Sequence, residues 1–183
     1  MTILEDKKWM LRDSKYMLRT PWLNVRKDAV VTSKNVEIDD FYILEYPNWV
    51  NVIAITTEGR YVIERQYRHG LQQAVYEICA GICEPNECPI KAAQRELLEE
   101  TGFTGGKWEF FGKYAPNPSA MTNWSYTFIA EGVTRTASPM QEPTEDIDLI
   151  EVSRDELLHL METGHIVEGV MLAPLWKHLF MNK

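Results

Sequence analysis

Cysteine is scarce in this chain, and its three copies, Cys79, Cys83 and Cys88, are an odd number. Their C-x3-C-x4-C spacing matches no common zinc pattern, and no histidine stands nearby in sequence to complete one. Reduced thiols, and with them a cytoplasmic location, are the expectation. No apolar run is long enough to span a bilayer. The opening segment MTILEDKKWMLRD is charged and lacks an apolar h-region, so no signal peptide is expected. Basic charge is in deficit: 19 Lys and Arg against 27 Asp and Glu leave a net charge of −8. That balance disfavours nonspecific binding to nucleic acid or to an anionic membrane. It also means that an anionic ligand would need local help from metal, arginine or lysine. The four histidines, His69, His159, His165 and His178, form no cluster, and there is no G-x-S-x-G, Walker loop or Rossmann fingerprint. Repeats, low-complexity tracts and long linkers are absent too.

What is present suits a single core. The chain has 183 residues, 45% of them hydrophobic and 25% charged. Val, Ile and aromatic residues mark strands at Phe41 to Tyr46, Val50 to Thr56 and Tyr61 to Tyr67, with Glu58-Gly59 as a turn. Further strands are expected at Ala74 to Ile78, Trp108 to Tyr114, Trp124 to Ala130 and Ile147 to Val152. The stretch from Trp9 to Val31 alternates only loosely. Ser153 and Glu156 form a capping box that opens a helix ending near Gly164. A last amphipathic helix is expected from Met171 to Phe180, with Pro174 near its first turn. Strands and helices in this order predict an α+β fold, a mixed sheet with helices on both faces in an α/β/α sandwich.

The densest information lies between Gly81 and Phe103, which reads GICEPNECPIKAAQRELLEETGF. Its skeleton is G-x5-E-x7-R-E-U-x-E-E-x-G-U, where U is bulky and apolar. Nine constrained positions match by accident at roughly one starting position in 10⁹. Pro89 to Thr101 reads as a helix: Ile90, Ala93, Leu97 and Leu98 give an apolar stripe. Pro89 suits a first helical position, and Gly102 suits the left-handed residue that ends a helix. Glu96, Glu99 and Glu100 stand at i, i+3 and i+4, on one face, where like charges repel. A hard divalent cation with oxygen ligands relieves such a cluster, and Arg95 can pair with one acid and hold it. Taken alone, E-x-x-E-E would read as a solvated helix face. Gly81, Glu87 and Gly102 have no part in such a face.

This segment resembles the Nudix box of the Nudix hydrolases at every constrained position. The resemblance reaches beyond the box. Arg65-Gln66-Tyr67-Arg68-His69-Gly70 and Tyr76-Glu77-Ile78-Cys79-Ala80-Gly81 look like segments of the ADP-ribose pyrophosphatase branch, as do Pro116 to Ser119 and Glu142 to Ile147. Cys79 stands where the branch has Pro, and Cys88 where Ser often caps the box helix. Asn117 to Thr122 lacks the branch's P-G-F-x-D/S-E. The resemblance implies a mixed sheet flanked by helices (residues 46–183) with an N-terminal β-strand extension (residues 1–45) exchanged in a homodimer. It implies hydrolysis of a nucleoside diphosphate linked to X, ADP-ribose first, with Mg²⁺ or Mn²⁺ as cofactor. GDP-mannose, a dinucleoside polyphosphate or an oxidised nucleotide are alternative substrates, and a noncatalytic ligand sensor is the alternative of another class. RNA end processing is disfavoured by the absence of a basic stripe.

The resemblance also assigns residues. Glu96, Glu99, Glu100 and the Ala80 carbonyl are implied metal ligands. Gly81, Glu87, Arg95 and Gly102 are implied structural residues. Arg68 and Glu77 are implied to meet the substrate, and Glu145, with Glu142 and Glu99 as competitors, to activate or position water. Trp22, Tyr42, Trp49 and Trp124 are candidates to stack on a base, with no choice among them.

Overall fold

The computed structural model describes residues 6–141 and 144–181, so Glu142, one candidate water-activating acid, lies outside the described residues. The chain divides into two units. One comprises the residues up to Pro47 with Asn117–Asn123, the other Asn48–Pro116 and the residues from Trp124 on.

The first unit is an antiparallel meander of β1 (Met10–Arg19), β2 (Asn24–Val31) and β3 (Glu37–Glu45). All ten residues of β1 are exposed, Met10, Leu11, Met17 and Leu18 included. A strand with no buried face has no reason to alternate apolar with polar residues, and for that reason β1 gave only a loose signal. Asp28, buried on β2, is held by the Arg26 guanidinium at 2.9 Å and by the Ser14 hydroxyl at 2.7 Å. Leu44 exchanges backbone hydrogen bonds with the Asn117–Asn123 segment, donating to Ala120 O and accepting from Thr122 N.

The second unit is a seven-stranded mixed sheet: β4 (Trp49–Thr56), β5 (Tyr61–Arg68), β6 (Gln73–Glu77), β7 (Cys79–Ile82), β8 (Phe103–Tyr114), β9 (Ser125–Arg135) and β10 (Ile147–Val152). Alternation along β4 sorts the core into two layers. Val50, Val52 and Ala54 pack with Ala92, Ala93 and Leu97 from α1 (Pro89–Glu96) and the turn that follows it. Ile53 faces the other way, onto Leu157 and Met161 of α2 (Arg154–Glu162) and Met171, Leu175 and Leu179 of α3 (Gly169–Met181). Helices on both faces make the expected α/β/α sandwich. The Ser153–Glu156 capping box forms with both of its hydrogen bonds.

Helix α3 starts two residues earlier than expected, which moves Pro174 into the helix interior. Proline has no N–H for the carbonyl four residues back. The Asn51 side chain supplies one, donating to Val170 O at 3.0 Å while also reaching Ser125 Oγ at 2.9 Å.

Candidate functional site

The site grows from a split in the sheet. β4 and β5 pair only at Ile55 and Tyr61; beyond that point β7 pairs with β4, and β6 with β5. The peptide from Glu77 to Ala80 crosses the split. Helix α1 packs beneath β7, and Ala92 and Ala93, both fully buried, bring its backbone close to the sheet. Cys88 precedes α1 without a side-chain capping bond, and Pro89 begins it.

The helix does not run as a plain α-helix to Thr101. From Leu97 to Thr101 it widens into a π-helical turn, and Gly102 ends it at φ 73°. Such turns insert a residue and re-aim side chains, and they recur at functional sites. Here the three acids that helical spacing placed together differ in depth. Glu96 and Glu100 are buried, at 8% and 7% exposure, whereas Glu99 stays at the rim. The Glu100 carboxylate accepts from the Ala80 N–H at 3.2 Å. A Cβ on Gly81 would lie 2.1 Å from Glu96 Cδ, so the glycine is the gap through which this carboxylate passes. Gly102 has a different reason: its positive φ is joined by the Ala137 carbonyl, 2.1 Å from where a Cβ would stand.

Arg95 organises the acids. It donates to Glu96 at 2.8 Å, to Glu99 at 3.0 Å, to Ile82 O at 3.1 Å and to both oxygens of Glu87 at 3.1 and 2.9 Å. Glu87 in turn accepts from the Glu84 N–H at 3.0 Å, which ties the loop before α1 to the helix. The arginine's bonds hold the Glu87 carboxyl below its ordinary range.

Burial acts in the opposite sense on the inner acids. It raises the pKa of Glu96, against the opposing pull of Arg95. It pushes Glu100 up to about 8, and the charges of Glu96 and Glu145 add to the effect. Glu145 is therefore close enough to be felt by both.

Two acids escaped the sequence reading, and the deeper of them is Glu64. Glu64 lies on β5, on the same side as Val62, with 3% exposure. Its carboxylate, the Cys79 thiol and the Glu100 carboxylate lie within 4.8 Å of one another. Glu64 Oε1 has no hydrogen-bond partner among the described residues. Burial first, then the charges of Glu100 and Glu77, drive its pKa well up. The only signal in sequence was an acid inside the apolar run YVIE. Buried carboxylates that raise one another's pKa, one with an unsatisfied oxygen, fit a divalent cation.

Beside the acids opens a cavity of about 580 Å³, walled by Trp49, Arg68, Glu77, Ala80, Glu168 and Met171 among others. Arg68 is not free in it: Nε donates to both Glu77 oxygens, at 2.8 and 3.1 Å. Both candidate substrate residues thus belong to the cavity wall as one ion pair. Glu168, also missed from sequence, adds an acid whose pKa burial raises, helped by the Glu77 charge. Trp49 is the one stacking candidate in the wall; Trp124 instead lies under Lys113, 4.1 Å from the ring centre. Trp22 and Tyr42 are exposed residues of the three-stranded unit.

Residues 46–172 match the family described as NUDIX domain. The chain is 35% identical over 129 residues to the methanol dehydrogenase activator of Bacillus methanolicus and 31% identical over 129 residues to the ADP-ribose pyrophosphatase of Bacillus subtilis (strain 168). Each alignment covers 69% of both partners. It is 28% identical over 184 residues to the GDP-mannose pyrophosphatase of Enterobacter sp. (strain 638), covering 94% of this chain and 92% of the relative. Its fold is similar to the crystal structure of an ADP compounds hydrolase, with a TM-score of 0.81 at 20% identity, over 98% of this chain and 96% of the other.

Proposed function

Because the chain belongs to the Nudix family and is a pyrophosphohydrolase of that family, we propose that it hydrolyses ADP-ribose to AMP and ribose 5-phosphate. Water adds to one phosphorus, the P–O–P bridge breaks, and two monophosphates leave. The observation that supports this reading most is the buried pair Glu96 and Glu100, set against Gly81 and Ala80 in the wall of a cavity that also presents Arg68.

In this proposal Glu96, Glu100, the Ala80 carbonyl and Glu99 hold Mg²⁺ or Mn²⁺. The cation, when bound, neutralises phosphate charge and lowers the pKa of a coordinated water. Phosphoryl transfer asks little covalent work of a protein and much positioning. Arg95 holds Glu96 and Glu99 in place through the bonds described above, and Glu87 holds Arg95. Gly81 leaves room for Glu96. Arg68, anchored by Glu77, offers its remaining N–H groups to a substrate phosphate. Glu145, whose charge reaches Glu96 and Glu100, is the favoured acid to position the attacking water. Trp49 offers a face to the base or to a sugar.

The wholly exposed β1, with Met10, Leu11, Met17 and Leu18 open to solvent, supports a homodimer in which this strand is covered by a second copy. The three free cysteines support a reducing, cytoplasmic setting. One observation favours GDP-mannose as a second reading: the GDP-mannose pyrophosphatase relative aligns over 94% of the chain, including the N-terminal strands. All the box acids are present, which speaks against a noncatalytic sensor.

The test is a panel of ADP-ribose, GDP-mannose, other nucleotide sugars and dinucleoside polyphosphates with Mg²⁺ and with Mn²⁺, read as phosphatase-releasable phosphate. ADP-ribose should turn over fastest, and Glu100→Gln should lower the rate at least about a hundredfold. A faster GDP-mannose reaction would move the substrate. No turnover sensitive to Glu100→Gln would sink the hydrolase reading.

A further inference from the structure

Neither Glu64 nor Cys79 belongs to the box pattern, yet both converge on Glu100. The three donor atoms come from β5, β7 and the π-helical turn, and they lie within 4.8 Å of one another. The residues are 3%, 1% and 7% exposed, so bulk water does not screen them. Glu64 Oε1 is without a hydrogen-bond partner among the described residues. Arg68, whose charge reaches Glu64, donates to Glu77 instead. An acid this deep with an open lone pair is costly unless something binds there.

We propose that Glu64, Cys79 and Glu100 form a second cation position that takes a thiophilic divalent metal, of the zinc, cobalt or cadmium class, in preference to Mg²⁺. Mg²⁺ wants oxygen donors in near-ideal octahedral geometry and keeps several of its waters. A dry site with a sulfur among its donors offers neither. Thiolate ligands select softer metals. Ligand bonds of about 2.0–2.3 Å put tetrahedral donors within about 4 Å of each other, so small side-chain rotations close the site. Three protein donors leave a fourth position for water or a substrate oxygen. On binding, the Cys79 S–H bond breaks, its proton goes to solvent, and the sulfur lone pair forms the metal bond. Protons carried by either carboxyl leave the same way.

The proposal shares Glu100 with the hydrolase reading and rests on it to that extent, so the test separates the two. The chain is prepared with Cys88→Ser, which removes the exposed thiol, and stripped of metal with a chelator. Co²⁺ or Cd²⁺ is then titrated in, and the thiolate-to-metal charge-transfer band is followed in the ultraviolet. One band per chain is expected, saturating at one equivalent and surviving excess Mg²⁺. Cys79→Ser should abolish it. Glu64→Gln should weaken the metal affinity at least about tenfold. Glu96→Gln should leave it in place. Absence of the band, its survival in Cys79→Ser, its loss in Glu96→Gln or an unchanged affinity in Glu64→Gln would each overturn the proposal. If Cys79→Ser fails to fold by circular dichroism, the Glu64→Gln affinity decides. Mg²⁺-supported turnover is measured on the same preparations. A band without turnover would keep this site and sink the hydrolase reading; turnover without a band would do the reverse.

Discussion

The three-stranded sheet and the seven-stranded sheet are held together by different means. In the first, β1 is exposed along its whole length, and polar pairs such as Arg26 with Asp28 stand where a core would be. In the second, two apolar layers close over both faces, and buried charge is organised, Glu96 against Gly81 and Arg95 and Glu100 against Ala80, with Glu64 Oε1 the exception. Burying charge is costly without partners, so the second region needs particular residue types at particular places. The first needs only strand-forming backbone and whatever covers it. The difference predicts that substitutions in the second region act through geometry, and those in the first through association.

The largest effect should come from the smallest change. In Gly81→Ala, the new methyl meets Glu96 Cγ, Cδ and Oε1, all within 2.6 Å. These atoms end a flexible side chain, so the fold can yield by swinging the carboxylate aside. Turnover should fall about a hundredfold, since a 1 Å displacement of a positioning group costs on that order, while the melting temperature changes little. Equal losses of activity and stability would mean that Gly81 serves the fold instead, and the contrast between the regions would lose its clearest case.

Next is the exposed strand. Met17→Glu with Leu18→Glu places two charges on β1 without touching the second unit's core. Light scattering should show the wild type at the mass of two chains and the variant at the mass of one, at equal micromolar concentration. A wild type already at the mass of one chain would remove the dimer, and with it the reason offered for the strand's apolar residues.

What could be read from the residues alone follows the same division. Gly81, Glu87, Arg95 and Gly102 were legible because each answers a local demand that few residue types satisfy: room for a carboxylate, a fork of donors, a positive φ. Six strands of the seven-stranded sheet were legible because buried strands concentrate Val, Ile and aromatic residues, whereas the short β7 was not. Glu64 was not, because a lone acid in a strand reads as the solvent side, and only the pairing of β7 with β4 and β6 with β5 shows that this position faces inward. The π-helical turn was hidden for a related reason: residue spacing reports the face of an ideal helix, and here Glu96 and Glu100 are buried while Glu99 stays at the rim. β1 was hidden because an exposed strand carries no period.

A smaller effect tests how the second unit tolerates a proline inside a helix. Asn51→Ala would leave Val170 O and Ser125 Oγ without the amide that now reaches both. A buried acceptor left without its donor costs about 1–3 kcal/mol. Urea unfolding should show the free energy of unfolding lowered by that amount, as a lower midpoint at an unchanged slope. No shift would mean that α3 absorbs Pro174 without help from the sheet.

The smallest effect concerns a buried histidine. His178 on α3 is 4% exposed, and its Nε2 lies 3.0 Å from the Tyr61 hydroxyl. Burial depresses its pKa, with Arg154 acting in the same direction and Glu131 opposing. The sign follows from linkage. With a folded pKa below the unfolded value of about 6.5, the unfolded chain binds the proton first as pH falls, so acid favours unfolding. The ring's contribution is intact above about 6.5 and is lost as pH falls through the folded pKa. His178→Gln keeps a group that can bond Tyr61 but does not titrate. Its stability, followed by urea unfolding from neutral pH downward, should decline less steeply than that of the wild type. Parallel curves would assign the acid sensitivity of this fold to its carboxylates alone, and would mean that the apolar layer around α3 admits a charge as readily as the exposed sheet does.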